Sequence, residues 1–286
     1  MPDTSHAPAG NTAELIICSM KIDSLTDQGS GSTNEDQILA AQPVFAVFDG
    51  VTSLNKYVDE SGKTGGLLAS SIARETFDKS DKSLLELATE ANKRIRSAMH
   101  EKGIDTSDKL NLWATSVAAI RILEKEIEWL TVSDSIIMVF DTNGGHRLLG
   151  KFHNHDLATL KLWKELAARG VENIREQLND VIVENRRRMN IDYGALNGEP
   201  GFVRFVETGT CELENIAYIV LATDGLFVPT ENPEDEGWDQ FAALYLAGGL
   251  KRIQDFVRER EESDPKCWRY PRFKVRDDIG AIAISF

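Results

Sequence analysis

The sequence predicts an α+β fold in which largely antiparallel sheets are covered by helices. Links of hairpin length join several consecutive predicted strands, for example at residues 124–125 and 143–145, and such short links permit only antiparallel pairing. Strands and helices come in groups and do not alternate, which argues against a doubly wound parallel sheet. Residues 44–48 are apolar throughout, without the alternation of a half-exposed strand, so both faces of this strand are expected to be covered.

Length and composition are typical of a globular protein with a sizeable core. The chain has 286 residues, of which 42% are hydrophobic and 27% charged. It shows no internal repeat and no clear linker, so we expect a loose polar tail over residues 1–12 and a single domain over residues 13–286. The net charge of −14 argues against nucleic acid as a partner, since phosphate binding needs a basic face. The same charge allows a cluster of carboxylates that a bound cation would neutralise.

The cysteines and the first residues predict a cytoplasmic protein without a membrane anchor. The three cysteines are few, odd in number and far apart, which indicates a reducing compartment and no disulfide framework. Residues 1–14 lack the basic and apolar regions of a signal peptide, and no apolar run reaches the length of a membrane span.

The chain begins with strands and continues with two amphipathic helices. We expect strands at residues 15–20, 37–41 and 44–48, with a Gly/Ser-rich loop over residues 27–33. The first helix is predicted over residues 62–78, and the side chains on one of its faces are Leu67, Leu68, Ser71, Ile72 and Phe77. The second helix follows Ser83, which forms a capping box with Glu86, and stops at Gly103. Its apolar stripe consists of Leu84, Leu87, Ala88, Ala91, Ile95 and Met99. Both stripes are expected to pack in the core.

The second half of the chain contains most of the predicted strands. We expect strands at residues 113–123, 126–132, 135–141, 146–149, 202–211, 216–222 and 279–286. Helices are predicted over residues 156–169, 171–188 and 239–262. Residues 189–201 contain three glycines and a proline and predict an irregular loop or flap.

Acidic residues recur at the ends of the predicted strands. Asp49 and Asp224 follow apolar runs and precede a glycine, Asp134 lies between two apolar runs, and Asp277 opens the last strand. Each placement alone is explained by a turn, but aspartate is unfavourable in strands, so four placements indicate a shared reason. The whole acidic set is Glu35, Asp36, Asp49, Asp134, Asp224 and Asp277. Hard oxygen ligands of this kind suit Mg²⁺ or Mn²⁺, and two such ions about 3.5–4 Å apart can activate water and hold a phosphoryl group.

The order of these motifs resembles the metal-dependent protein phosphatases of type 2C, in particular their bacterial members. The sequence reads NED at residues 34–36, apolar-DG at 45–50, SDS at 133–135, apolar-TDG at 218–225 and DD at 277–278, before the last strand. The resemblance extends over residues 17–286. It implies a four-layer αββα fold, in which a central antiparallel β-sandwich is flanked by helices and the metals lie at one end.

The resemblance also implies roles for individual residues. It identifies Asp49, the carbonyl of Gly50, Asp224 and Asp277 as direct ligands of two Mn²⁺ or Mg²⁺ ions, and the three aspartates as the catalytic residues. It implies that Glu35 and Asp36 hold metal-bound waters, and that Asp134 with Asp224 holds a third ion. Residues 156–201 correspond to the variable insertion and flap of the family.

Three positions depart from the family pattern. Gly31 stands where the family often has a phosphate-binding arginine, and Val51 where it often has a histidine that is a candidate general acid. The SDS motif is followed by Ile136, where the family has arginine. The run Arg186, Arg187 and Arg188 beside the flap is a candidate replacement for the phosphate contact. A solvated helix face is the better interpretation of this run.

The sequence therefore predicts a phosphatase acting on phosphoserine or phosphothreonine in proteins, by attack of a metal-bridging hydroxide. Its expected partners are a phosphorylated protein substrate and a cognate kinase, with neither nucleic acid nor membrane involved. The departures at Gly31 and Val51 leave a second hypothesis open, a catalytically silent relative that binds a phosphoprotein or a kinase. A metal hydrolase of small phosphate esters is a third.

The segment His153-Asn154-His155-Asp156 hints at a zinc site. No matching histidine pattern occurs elsewhere in the sequence, so a turn followed by a helix cap is the better interpretation.

Overall fold

Two five-stranded antiparallel sheets form the centre of the protein. The computed structural model describes residues 20–51, 53–78 and 82–286, so the predicted tail and nearly all of the predicted strand over residues 15–20 lie outside the described residues. The strands are β1 (Lys21–Asp27), β2 (Gln37–Ala41), β3 (Val44–Phe48), β4 (Gly50–Val51), β5 (Ala114–Thr115), β6 (Val117–Ile122), β7 (Glu126–Val132), β8 (Ile136–Asp141), β9 (His146–Leu149), β10 (Glu207–Glu212), β11 (Ile216–Ala222) and β12 (Ile279–Ser285). The first sheet has the order β1-β12-β11-β8-β9 and the second β10-β7-β6-β3-β2, while β4 and β5 form a separate pair.

Helices lie on both sides of the sandwich, and those of residues 157–187 pack against one another and against residues 267–273. They are α1 (Gly65–Phe77), α2 (Leu84–Glu101), α3 (Leu157–Ala168), α4 (Ile174–Gln177), α5 (Asn179–Arg187) and α6 (Trp238–Ser263), the last of which is kinked at Gly248 and Gly249. Across the part of the chain that the structure describes, none of these helices combines the length and apolarity needed to cross a bilayer.

Three apolar layers hold the sheets and helices together. Between the sheets, alternate residues of β3 and β6, such as Phe45 and Ile120, meet Val139, Leu221 and Ile282 of the opposite sheet. The remaining residues of β3 and β6 point outward and pack under α1 and α2. On the other side, β8, β11 and β12 pack under α6. Because both faces of the central strands are covered, these strands are apolar without alternation. The predicted α+β class and the four-layer αββα arrangement are confirmed.

The structure corrects two details of the prediction. In α1 the fully buried face consists of small residues and Phe77, including Ala69 and Ala73, whereas Leu68 and Ile72 are only partly buried. The reason is that α1 lies directly on β4 and β5, where large side chains would not fit. The strand predicted over residues 202–211 begins only at Glu207, since Pro200 opens a 3₁₀ turn over Pro200–Phe205.

The apolar stripe of α2 is buried as predicted. Ser83 and Glu86 form the expected capping box, and all six residues of the stripe lie in the core.

The segment that leads into β12 is fixed by one buried carboxylate. Asp264, at the end of α6, accepts hydrogen bonds from the backbone amides of Trp268 (3.0 Å), Arg269 (3.1 Å) and Tyr270 (2.9 Å). The guanidinium of Arg272 donates to the same carboxylate at 2.9 Å. Burial alone would raise the pKa of Asp264, but these four donors outweigh it, so the pKa lies below its ordinary value.

Replacing Asp264 should weaken the fold measurably. Asp264→Asn leaves the buried guanidinium of Arg272 without its carboxylate, and we expect a loss of about 3 kcal/mol in the free energy of unfolding at pH 7. Since the folded pKa is lowered, this stabilisation is present above the ordinary aspartate value of about 4 and is lost as the pH falls through the folded value. Urea unfolding at several pH values measures both effects.

Asp255→Asn is the matched control. It removes an exposed i,i+4 pair with Lys251 and should cost less than about 0.5 kcal/mol. Equal losses in the two variants would contradict a special role of Asp264.

Candidate metal centre

Four of the predicted aspartates line one cavity at the end of the β-sandwich. The cavity has a volume of about 740 Å³ and is lined by Asp49, Asp134, Asp224 and Asp277 among others. A smaller cavity of about 200 Å³ adjoins it and shares the last three of these residues. The sequence placed these carboxylates far apart along the chain, and the fold brings them to one place.

The topology explains why the aspartates meet. Asp49 follows β3 in the second sheet, and Asp134 lies in the turn that leads from β7 of the second sheet to β8 of the first. Asp224 follows β11, and Asp277 precedes β12, which pairs with β11 in the first sheet. Both sheets therefore deliver carboxylates to the same end of the sandwich.

Two glycines permit the close packing at this end. A Cβ atom on Gly50 would collide with the carbonyl oxygen of Glu35 and with Gly66 at the start of α1. A Cβ atom on Gly225 would overlap the carbonyl oxygen of Asp278. The Asp-Gly pairs thus allow the strand ends to approach neighbouring backbone, which no larger residue permits.

Glu35 is held at the start of α1. Its carboxylate accepts a hydrogen bond from the hydroxyl of Thr64, the N-cap residue of α1. Its backbone carbonyl accepts one from Ser70 Oγ at 2.6 Å, and its backbone amide donates to Asp278 Oδ2 at 2.9 Å. A carboxylate at a helix N-terminus is favoured by the helix dipole.

Asp36 connects to the first sheet through Thr223. Its Oδ2 atom accepts a hydrogen bond from Thr223 Oγ1 at 2.7 Å, and the same hydroxyl accepts one from the amide of Gly280 at 2.9 Å. Asp36 is buried, and this contact fixes it between β11 and β12.

The carboxylates of the cavity destabilise one another in their charged form. Withdrawal from water is the largest cause that raises the pKa of Asp36, Asp49 and Asp224 well above the ordinary value. Repulsion adds to it: Asp36 and Asp134 act on Asp49, and Asp277 acts on all three groups. A cation bound next to such close, poorly hydrated negative charges would stabilise them.

Asp277 and Asp278 have different partners. Asp277 Oδ1 accepts a hydrogen bond from Lys274 Nζ at 2.6 Å. Asp278 is buried and accepts hydrogen bonds from the amides of Gly29 (2.8 Å) and Glu35 (2.9 Å), so it holds the loop before β2 in place. Both residues line the main cavity, but both oxygens of Asp278 already accept backbone hydrogen bonds.

Two lining residues were missed by sequence reasoning. Lys274 lies among the aspartates, and although burial lowers its pKa, Asp277, Asp49 and Asp224 raise it above the ordinary value. His155, which the sequence assigned to a turn and a helix cap, stacks on Tyr193 with ring centroids 4.0 Å apart. The signal for Lys274 was its position three residues before Asp277. His155 lay in the segment that hinted at a zinc site, and nothing in the sequence connected it with Tyr193 or with the aspartates.

The three candidate arginines are placed differently. Arg186 lines the main cavity, while Arg187 and Arg188 are exposed. Arg188 forms a bidentate pair with Asp192, with N–O distances of 2.7 and 2.8 Å.

The predicted flap is irregular but packed into the body of the protein. Residues 193–198 are buried, and Leu196 exchanges backbone hydrogen bonds with Thr115 at 3.1 and 3.0 Å. Lys109 Nζ donates to the carbonyl of Met189 at 2.6 Å and to Glu199 Oε2 at 3.1 Å. The wall of the cavity near Met189 is thus anchored on both sides.

The donor set fits a hard divalent cation in its chemistry. It offers carboxylate and carbonyl oxygens with an excess of negative charge, which Mg²⁺ and Mn²⁺ prefer. Within residues 20–51, 53–78 and 82–286, however, no three His, Cys, Asp or Glu side chains are grouped closely enough to hold an ion as they stand. The carboxylate of Asp277 is engaged by Lys274 instead.

Comparison with protein families gives a match over most of the chain. The sequence model of the protein phosphatase 2C family matches residues 27–256. The match includes Glu35, Asp36, Asp49, Asp134 and Asp224 and ends before Asp277. A search of curated proteins gives no match.

Comparison with solved structures gives the same architecture. The catalytic domain of the serine/threonine phosphatase PstP in complex with two manganese ions is 15% identical, with a TM-score of 0.57 and coverage of 93% of this chain and 97% of that one. PstP/Ppp of Mycobacterium tuberculosis is 15% identical, with a TM-score of 0.58 and coverage of 93% and 98%. Stp1 from Staphylococcus aureus is 14% identical, with a TM-score of 0.57 and coverage of 100% and 99%. At these identities the likeness is one of fold.

Neutralising one carboxylate should stabilise the metal-free protein. Asp49→Asn removes a charge that its neighbours repel, so we expect the free energy of unfolding in EDTA to rise by about 1–2 kcal/mol. Asp59→Asn is the control, because Asp59 is an exposed aspartate whose pKa is lowered by hydrogen bonds from Lys63 and Ser61. It should bring no gain. Chemical unfolding that shows Asp49→Asn no more stable than the wild type would contradict the repulsion described here.

Proposed function

Because the chain belongs to the protein phosphatase 2C family, we propose that it hydrolyses phosphoserine and phosphothreonine in proteins with the help of Mn²⁺ or Mg²⁺. The observation that carries this proposal is the convergence of Asp49, Asp134, Asp224 and Asp277 on one cavity. The free thiols of Cys211 and Cys267 support a reducing, cytoplasmic location.

The carboxylates have distinct roles in this proposal. Asp49, the carbonyl of Gly50, Asp224 and Asp277 hold two divalent ions, and Asp134 with Asp224 holds a third. When bound, the ions supply the Lewis acidity that activates water and neutralises charge on the phosphoryl group. Glu35 and Asp36 orient water at the centre. The contacts of these two residues with Thr64 and Thr223 restrict their motion and support that role.

The lining of the cavity suits a phosphorylated side chain. Cationic side chains on its wall are Lys56, Arg175, Arg186 and Lys274. These cations share the cavity with the carboxylates, so they would attract a phosphate dianion to a centre where bound divalent ions would neutralise its charge. His155, between Asp134 and Asp156, adds a polar wall on the side of α3.

A silent relative that binds a phosphoprotein or a kinase is the second candidate. It is favoured by Gly31 and Val51, which line the cavity and carry neither a cation nor a proton donor. Losing one positioning group or one acid costs catalysis a few orders of magnitude and does not abolish it. We therefore favour an active enzyme.

Hydrolysis of an aryl phosphate tests the proposal directly. With Mn²⁺ or Mg²⁺ the wild type should release phosphate, EDTA should stop the reaction, and Asp49→Asn should lower kcat by a factor of about 10² or more. Phosphopeptides, nucleotides and sugar phosphates in the same assay separate a protein phosphatase from a hydrolase of small esters. Absence of turnover with every metal would favour the silent relative.

Arg186 should contribute to substrate binding. Arg186→Ala removes a cation from the cavity wall, so we expect KM for a phosphopeptide to rise about tenfold with little change in kcat. Arg187→Ala, at the exposed neighbouring position, is the control and should leave both constants unchanged. Similar kinetics for the two variants would remove Arg186 from the binding site.

A further inference from the structure

Lys274 lies among the carboxylates of the candidate metal centre. Lys274 Nζ lies 2.6 Å from Asp277 Oδ1, and its side chain is 33% exposed. Lys274 lines both cavities, and its charge acts on Asp49 and Asp224 as well as on Asp277. The ammonium group therefore lies where the negative charges of the cavity converge.

The nearby arginine is occupied elsewhere. Arg258 donates to the backbone carbonyl of Asp277 at 2.8 Å, but its guanidinium pairs with Asp27 (2.9 Å) and Glu261 (2.7 Å). It is thus already neutralised by two carboxylates that do not line the main cavity. Lys274, by contrast, is paired with a carboxylate of the centre itself.

The backbone around Lys274 is fixed. Arg276 and Ser30 exchange two hydrogen bonds, from Ser30 N to the Arg276 carbonyl and from Arg276 N to Ser30 Oγ, both at 2.9 Å. Asp264 holds the turn on the other side of Lys274. With both flanks anchored, the side chain is directed at Asp277 by the fold and is not a freely moving surface lysine.

We propose that Lys274 is a built-in counter-ion of the carboxylate centre, and that a divalent cation must displace its ammonium group from Asp277 in order to bind there. The inference rests on the metal centre of the proposed function.

The charges involved indicate that the ammonium group of Lys274 and a divalent ion compete for the carboxylate of Asp277. The ammonium group of Lys274 occupies Asp277 Oδ1 at hydrogen-bonding distance, and it repels a divalent ion bound at the same carboxylate because the cavity is poorly hydrated. The lysine stabilises the protein without metal and lowers its affinity for the ion by the same interaction. Metal binding is therefore weaker than the carboxylates alone would give.

Calorimetric titration of the metal-free protein with Mn²⁺ tests the inference. Lys274→Met should bind Mn²⁺ about tenfold more tightly than the wild type, the change that corresponds to the loss of a partly buried ion pair of about 1.4 kcal/mol. Lys274→Gln provides a second variant if the methionine variant does not fold. Arg276→Met removes an exposed cation two residues away, which pairs with Glu262, and should leave the affinity unchanged.

A double variant shows whether the effect passes through Asp277. In an Asp277→Asn background the lysine has no carboxylate to block, so Lys274→Met should bring little further gain in Mn²⁺ affinity. Equal gains with and without Asp277, or equal gains for Lys274→Met and Arg276→Met, would reduce the effect to general electrostatics and overturn the proposal. Unchanged or weaker binding in Lys274→Met would also overturn it.

The two proposals fail in distinguishable ways. If the wild type and every variant bind no Mn²⁺, the metal centre itself is wrong, and the inference about Lys274 is wrong with it. If the wild type binds Mn²⁺ and Lys274→Met binds it no better, only the role of Lys274 is wrong. Both outcomes are distinguished by Mn²⁺ binding alone, without a measurement of hydrolysis.

Discussion

Repulsion among poorly hydrated carboxylates is the constraint on which the rest of this structure depends. Burial is the largest cause that raises the pKa of Asp36, Asp49 and Asp224, and repulsion from neighbouring carboxylates, Asp277 among them in each case, raises it further. The four-layer sandwich bears this cost because its three apolar layers fix the strand ends independently of the charges. A site of this kind lowers the stability of the metal-free protein, and the same carboxylates give it the capacity to bind a cation.

Hydrogen-bond donors around the carboxylates partly offset that repulsion in the absence of a bound cation. Hydroxyl groups of Thr64 and Thr223 donate to Glu35 and Asp36, and an ammonium group donates to Asp277. The chain is a protein phosphatase by family, with the fold of the bacterial enzymes. The cations on the wall of the cavity are Lys56, Arg175, Arg186 and Lys274, and position 31, where the resemblance leads one to expect an arginine, is a glycine.

Local rules predicted most of the fold, and long-range contacts account for what they missed. Apolar runs and short links predicted the strands, and the capping box at Ser83 predicted the start of α2. The buried face of α1 was wrong because the sequence does not reveal that this helix lies on Gly50. Among the site residues, Asp49 and Asp224 stood out because aspartate rarely follows an apolar strand. The contact of His155 with Tyr193 depends on how the helices after β9 fold back onto the cavity, and no pattern within either segment indicates it.

The most direct test of the account is an anomalous difference map from crystals grown with Mn²⁺. The account predicts strong peaks in the cavity, bonded to the carboxylate of Asp49 and shared with Asp224, and a Lys274 side chain that has moved away from Asp277 wherever an ion contacts it. A map with no peak in this cavity at saturating Mn²⁺, or with peaks only at surface carboxylates, would contradict the claim that this cluster is a metal centre.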